Sequence, residues 1–353
     1  VTTDLLAGPD GSRAVPPGLD PVALGAWCEG PGREAGLVPP LRATLVKGGK
    51  SNLTYRVDDA TGRSFALRRP PLGPLLPKAH DVVREHRLIS ALHRHSPVPV
   101  PPPVAACADP EPIGAPFFLM EFVDGRVLRN RRRAAEVPEP VRAAAADHLV
   151  DILVTLHATD PAALGLADLA PPDGYIARQL ARWQQQFDRS RTREVPDVDD
   201  VGRWLAERIP PQTETRLVHG DFRLDNAIID DGGRILAVLD WEIATLGDPL
   251  ADLAVLLVYW GGAGEPAIGA TDLAGFPDRA AVAARYARAS GRDLAALAYH
   301  RVFAYWKLAC VAEGVYARYA AGGGGGDATV DLEAQAAVTV RMAARARAII
   351  DGG

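Results

Sequence analysis

The spacing of apolar residues changes character near Gly125, and that change restricts the chain to a mixed architecture. Before it, runs of strand length, 43–46, 53–57 and 64–68, are separated by Lys47-Gly48-Gly49-Lys50-Ser51-Asn52 and by Asp58-Asp59-Ala60-Thr61-Gly62. Short runs punctuated by Gly and Asp read as antiparallel hairpins. A stripe of Val82, Val83, Leu88, Ile89 and Leu92 predicts a helix over 80–93, and further strands are expected at 104–108 and 117–122. After Gly125 the pattern becomes helical, with helices expected over 141–156, 175–187, 199–208, 280–290, 294–319 and 330–350. The fold class expected is α+β, a small antiparallel-sheet lobe followed by a larger, mainly helical lobe.

The chain's 353 residues exceed what one core usually serves, since single cores stop growing at about 250–300 residues. Two lobes around a cleft fit: a Gly- and Pro-rich leader over 1–40 that packs on the body through an amphipathic segment at 19–29, a first lobe over 41–121, and a helical lobe over 122–353. The glycines Gly322 to Gly326 read as a flexible connection before the last helix. A net charge of -5 argues against general nucleic-acid binding. Only four of the 39 basic residues are lysines, Lys47, Lys50, Lys78 and Lys307. That bias predicts arginine at positions where a lysine would serve. Cys28, Cys107 and Cys310 have no metal-ligand spacing and read as free thiols of a reducing compartment. The apolar stretch 253–264 is too short to cross a bilayer. With no basic region leading into an apolar core at the N-terminus, a cytoplasmic protein without membrane association is expected.

The chemistry concentrates between Leu217 and Glu242. Apolar runs bracket Asp221, Asn226 five residues on, and Asp240 after a Gly232-Gly233 turn. A hairpin there brings Asn and Asp oxygens together, the hard donors that Mg²⁺ takes while sharing itself with substrate phosphates. A further carboxylate nearby can orient a hydroxyl and accept its proton while a phosphoryl group passes in line.

At these residues the sequence resembles the aminoglycoside phosphotransferase and choline kinase superfamily of the protein-kinase-like fold. The pattern His-Gly-Asp-x-x-x-x-Asn is present as His219 to Asn226, and Asp240-Trp241-Glu242 follows it. Leu156-His157-Ala158-Thr159-Asp160 and Gly247-Asp248-Pro249 with Asp252 extend the likeness. Arg178 to Trp183 and Glu313 to Arg318 look most like the kinase-like domains associated with acyl-CoA dehydrogenases. The resemblance implies Asp221 as catalytic base or hydroxyl-orienting group, Arg223 as a neutralising cation, and Asn226, Asp240 and Glu242 at the metal, with Glu242 either assisting a second ion or holding the loop. It implies structural roles for His219 and Asp248. ATP, or GTP in its place, and Mg²⁺ are the cofactors implied.

On the nucleotide side, Gly48 and Gly49 would let a hairpin approach phosphates, with donors on Lys50, Ser51 and Asn52. The two-residue period of a strand puts Ala66 and Arg68 on one face. Ala66 would lie over the adenine, and Arg68 stands where the family's phosphate-binding lysine is expected. Glu85 is its natural ion-pair partner, the alternative being a solvated helix charge. Backbone groups of Glu121, Phe122 and Val123 would meet the adenine edge, and Met120 serves equally as core. Arg126, Arg129, Arg131, Arg132 and Arg133 form a basic run, read first as a solvated loop and otherwise as an anion-binding rim. Trp183, Gln186 and Tyr316 read as packing before acceptor pocket. The acceptor expected is a hydroxyl-bearing small molecule, anionic or acyl-CoA-like. A nucleotide-binding pseudokinase and an aminoglycoside-inactivating kinase are the alternatives.

Overall fold

A computed structural model describes residues 15–46, 52–73, 80–261, 268–322 and 331–352. Gly48, Gly49, Lys50 and Ser51, assigned above to phosphate binding, lie outside the described residues, as do the first 14 residues of the leader and Gly323 to Gly326 of the glycine run. The chain forms two compact units, one built from the chain up to Val127 together with Asn226–Ile243, the other from Leu128–Asp225 and Ala244 onward.

The first unit begins with α1 (Pro21–Glu29), started by Asp20, whose side chain accepts the Val22 N–H at 2.8 Å. Then come β1 (Arg42–Leu45), β2 (Leu53–Asp58), β3 (Ser64–Arg69), α2 (Val82–His95), β4 (Pro103–Cys107) and β5 (Phe117–Glu121). The strands make one antiparallel sheet in the order β1-β2-β3-β5-β4. Alternation along β3 decides what each face holds. Phe65 and Leu67 join Tyr55, Val57, Phe117 and Leu119 in a core closed by Leu24 and Trp27 of α1. Ala66 and Arg68 take the opposite face, where they pair in register with Met120 and Phe118. The Trp27 ring meets Phe117 edge-on at 4.9 Å. Gly32 makes this possible, because a Cβ there would lie 2.4 Å from the Trp27 ring. Arg69 ties the leader down through the carbonyls of Gly18 and Ile113.

The chain then enters the second unit through α3 (Arg131–Ala135), α4 (Glu139–Ala158), α5 (Tyr175–Ser190), α6 (Pro196–Glu207) and β6 (Arg216–Val218). It returns to the first unit for the hairpin β7 (Ala227–Ile229) and β8 (Ile235–Val238), where Ala227 faces Val238. The remainder is β9 (Thr245–Gly247), paired antiparallel with β6, and the helices α7 (Pro249–Tyr259), α8 (Arg279–Ser290), α9 (Leu297–Ala320) and α10 (Leu332–Gly352). The second unit packs around α9, whose Val302, Phe303, Trp306 and Ala309 are buried among residues of α5, α6, α7 and α10. Trp306 donates its indole N–H to the Val198 carbonyl at 2.9 Å.

The helices and strands expected fall within a few residues of their positions, and β9, α3 and α7 come in addition. The arginine run is not a plain loop: Asn130 caps the Arg133 N–H and starts α3, so Arg131, Arg132 and Arg133 lie on one helical turn. α7 was not expected as a helix, because its run from Pro249 to Tyr259 is apolar nearly all round and so shows no amphipathic period. Among the described residues no helix is long and apolar enough to cross a membrane.

Trp27→Ala is expected to cost about 3–5 kcal/mol, the range for emptying a buried tryptophan site. The measurement is the urea midpoint at constant slope. A loss below about 1 kcal/mol, the size of a typical surface change, would show that α1 is not part of the core.

Candidate functional site

In the first unit the β7–β8 hairpin sets the geometry. Asn226 precedes β7, and its carbonyl accepts the Leu239 N–H at 2.8 Å, extending the ladder by one step. Asp240 therefore follows directly at the open end of the hairpin beside Asn226. Its φ of +68° is left-handed, a conformation that Asp tolerates better than most side chains. The next residue fixes the turn: Trp241 is fully buried and donates its indole N–H to the Val238 carbonyl at 3.0 Å.

Arg68 reaches this hairpin end, its Nη2 donating to Asp240 Oδ1 at 2.9 Å while its Nε lies 3.4 Å from Glu85 Oε2. Glu85 is thus the buried partner of Arg68 and not a solvated helix charge. Burial pushes the Glu85 carboxyl up to about 7 against the pull of Arg68. Burial disfavours the Arg68 cation, but Glu85, Asp240 and Glu242 outweigh it and raise its pKa. Glu242 takes a separate partner, accepting from Asn52 Nδ2 at 3.1 Å, and His80 Nδ1 lies 3.0 Å from Asn52 Oδ1.

The edge of β5 is partly occupied. The N–H groups of Glu121 and Phe122 donate to the carbonyls of Pro102 and Ser64, at 2.8 and 3.1 Å, so these two amides are spent inside the sheet. Ala66 and Met120 are both buried as a register pair.

In the second unit the loop after β6 carries the other half of the predicted set. Asp252, 1% exposed in the first turn of α7, accepts the Gly220 N–H at 2.6 Å and also the His219 N–H. Burial works to raise the Asp252 carboxyl, yet His157, His219 and the Gly220 amide hold it below its ordinary value. His157 stands 3.4 Å from Asp252 through Nε2 and 2.8 Å from the Tyr286 hydroxyl through Nδ1. Gly220 has a φ of +84°, which glycine takes without strain. His219 accepts the Asp221 N–H on Nδ1 at 3.2 Å. Asp248 caps α7 by accepting the Leu250 N–H at 2.9 Å and pairs with buried His300 at 3.0 Å. Burial again opposes the charge, and the His300 bond leads the groups that lower its pKa.

Asp221 itself accepts from Arg223 Nε at 3.0 Å. Arg223 also bonds Asp225 and lies over the Tyr259 ring at 4.7 Å. Burial disfavours its charge, but Asp221, Tyr259 and Asp225 raise its pKa. Burial raises the Asp225 carboxyl, with Arg223 opposing. Beside this cluster is a small recess lined by Arg129, Leu224, Asp225, Tyr259, Trp260 and Thr271 among others. Tyr259, Asp225 and Lys307, which donates from Nζ to the Gly220 carbonyl at 2.8 Å, are neighbours of the loop that sequence reasoning passed over. Only Lys307 left a trace there, as a rare lysine in an arginine-rich chain.

Arg126 pairs with Asp231 in the first unit, while in the second Arg131 pairs with Asp272 and Arg133 with Glu136. These three are surface pairs, while Arg129 of the same run lines the recess beside Asp225. Trp183 is core, and Arg193 lies over the Tyr316 ring at 4.8 Å. Glu313 is fully buried and paired with Arg193 at 3.0 Å, which gives the Glu313 to Arg318 motif a packing role.

Among the described residues no three His, Cys, Asp or Glu side chains gather as a metal site. The set that fits an ion is leaner, Asn226 and Asp240 at one hairpin end. All its donors are oxygen, and two protein ligands suit a cation such as Mg²⁺ that keeps waters and shares phosphates.

The chain belongs to the phosphotransferase enzyme family, whose profile matches residues 42–300. Over 287 residues, 78% of this chain, it is 36% identical to acyl-CoA dehydrogenase family member 11 of Gallus gallus. That match spans 36% of the relative, so the chain corresponds to little more than a third of it. A crystal structure from Ralstonia eutropha JMP134, of a protein assigned to the aminoglycoside phosphotransferases, is 30% identical with a TM-score of 0.78, covering 95% of this chain and 99% of that one. The GDP complex of aminoglycoside 2'-phosphotransferase-IIIa shares the fold at 14% identity, with a TM-score of 0.60 over 93% of this chain and 97% of that one. The kinase-like α+β fold expected from the sequence is the one observed.

Removing the charge at Asp252 is expected to loosen the loop that presents Asp221. Asp252→Asn should lower stability by about 3 kcal/mol at neutral pH, the lower end of what breaking a buried pair costs. A carboxylate with a depressed folded pKa stabilises above its unfolded value of about 3.9 and loses that contribution as pH falls through the folded pKa. The stability gap between variant and wild type in urea should therefore begin to close below about pH 4 and narrow further as pH falls through the lower folded pKa. A gap that persisted unchanged in acid would contradict the assignment.

Proposed function

We propose that this protein is a small-molecule kinase that transfers the γ-phosphoryl group of ATP to a hydroxyl of an anionic or acyl-CoA-like acceptor. The observation that carries the reading is the loop at 219–221, where the buried Asp252 captures two successive amides and so fixes the backbone that presents Asp221. An ordinary surface loop has no need of such an anchor.

Asp221 would accept a hydrogen bond from the acceptor hydroxyl and take its proton as the new O–P bond forms and the bond from the γ-phosphorus to the β–γ bridging oxygen breaks. A loose phosphoryl-transfer transition state asks little of the base beyond orientation. That suits a carboxylate already held in place by Arg223 at 3.0 Å. Arg223 would also offset charge on the transferring group.

Arg68, steadied by Glu85, would bind nucleotide phosphate through its planar fork where a lysine would supply a point charge. Asn226 and Asp240 would hold Mg²⁺, which when bound neutralises the phosphates and helps orient them. Glu242 and Asn52 would steady the glycine segment, to which Gly48, Gly49, Lys50 and Ser51 belong. Ala66 and Met120 would line the adenine, whose edge would meet backbone near Val123, because the Glu121 and Phe122 amides are spent in the sheet. The GDP held by the more distant structural relative supports a nucleotide site and keeps GTP open as the donor. The name of the Gallus gallus relative supports an acyl-CoA-like acceptor over a polycationic antibiotic.

The test is ADP release from ATP and Mg²⁺ across a panel of hydroxyacyl-CoA thioesters, other hydroxy acids and aminoglycosides. Asp221→Asn is expected to lower the rate about 10²–10⁴-fold, the usual size of a general-base contribution. Asp240→Ala should lower the rate sharply and raise the Mg²⁺ concentration needed for what turnover is left. Turnover confined to aminoglycosides would replace the proposed acceptor, and nucleotide binding without transfer to any acceptor would favour the pseudokinase alternative.

A further inference from the structure

Among the described residues Lys307 is the only lysine, in a chain whose basic residues are otherwise almost all arginine. It is buried in α9, with Nζ 2.8 Å from the Gly220 carbonyl and 5.2 Å from the centroid of the Trp183 ring. One carbonyl and one aromatic face suit a compact ammonium. A guanidinium would bring five N–H groups in a rigid fork, most of which this site gives no acceptor. The position is therefore one where arginine does not substitute freely.

Gly220 is gripped at both ends. Its N–H points to the carboxylate of Asp252 and its C=O to the ammonium of Lys307, so each charge meets the end of the peptide dipole it attracts. The residue after this double clamp is Asp221. Burial lowers the lysine's pKa, Asp221 and Asp252 oppose it without reversing it, and Arg182 adds to the lowering. The other titratable or charged groups around Asp221 are His219, Arg223 and Asp225 of the same loop and Tyr259 of α7.

We propose that Lys307 is a positioning residue of the phosphoryl-transfer reaction, clamping the Gly220 carbonyl and so fixing the backbone that presents Asp221. The proposal rests on the kinase reading above. Arg223 stays in place in every variant below, so a change in turnover isolates the lysine.

The experiment compares wild type, Lys307→Met, Lys307→Gln and Lys307→Arg by the rate of ADP release from ATP and Mg²⁺. Methionine keeps the shape and removes the charge, glutamine keeps a donor without charge, and arginine keeps the charge. The neutral variants are expected to lose about 10- to 100-fold in kcat with KM for ATP within about twofold. The loss should fall on kcat and not on KM, because the clamp acts on the backbone that presents Asp221 and not on nucleotide. Lys307→Arg, which keeps a cationic donor for the Gly220 carbonyl, should recover part of the kcat that Lys307→Met loses, crowding taking the rest. Two neutral replacements keep the comparison intact where one fails to fold. A kcat within about twofold of wild type in the folded neutral variants, with active wild type, overturns the proposal alone. Wild type that transfers no phosphoryl group overturns the kinase reading and this proposal with it.

Discussion

The carboxylate of Asp252 is the interaction on which the second unit's chemistry depends. A buried charge is costly unless it is paired and hydrogen-bonded, and Asp252 meets that condition by taking the amides of His219 and Gly220 and the imidazole of His157. Those partners cannot move without exposing an unsatisfied ion. The backbone leading to Asp221 is therefore held by electrostatics and not by loop packing alone, while Lys307 holds the same peptide from its carbonyl side. Asp248, one turn earlier, is held by His300 in the same manner. Rigidity is concentrated at the residues whose orientation phosphoryl transfer would require.

The first unit uses a different device. A tight hairpin sets Asn226 and Asp240 side by side, the buried Trp241 locks the left-handed turn at Asp240, and Arg68 crosses from the sheet to bond it. Glu85 keeps Arg68 in place at a cost visible in its own raised pKa of about 7. Arginine in a position where the superfamily is expected to carry lysine thus keeps both an ion pair with the helix and a bond to the hairpin.

Much of this was readable because it is written in local chemistry. Strand lengths followed from Gly and Asp punctuation, helices from apolar periodicity, and the hairpin from Gly232-Gly233 between apolar runs. The pairing of Arg68 with Glu85 followed from strand alternation and charge. What escaped was long-range or lacked a period. α7 is apolar nearly all round, and α3 hides in a run of arginines that reads as solvated. The capture of the His219 and Gly220 amides by Asp252, 32 or more residues away, leaves no local mark. The use of the Glu121 and Phe122 amides inside the sheet likewise depends on partners at Pro102 and Ser64 that no spacing rule identifies.

The central claim is that Asp221 serves transfer of phosphate to a hydroxyl. The most direct measurement is ³¹P NMR of the purified protein with ATP, Mg²⁺ and a hydroxyacyl-CoA. The account predicts a new phosphomonoester resonance that grows as ATP is consumed and is absent with Asp221→Asn, although that variant still binds nucleotide. A phosphomonoester formed equally fast by Asp221→Asn, or ATP consumed only to inorganic phosphate with every hydroxyl acceptor supplied, would contradict it.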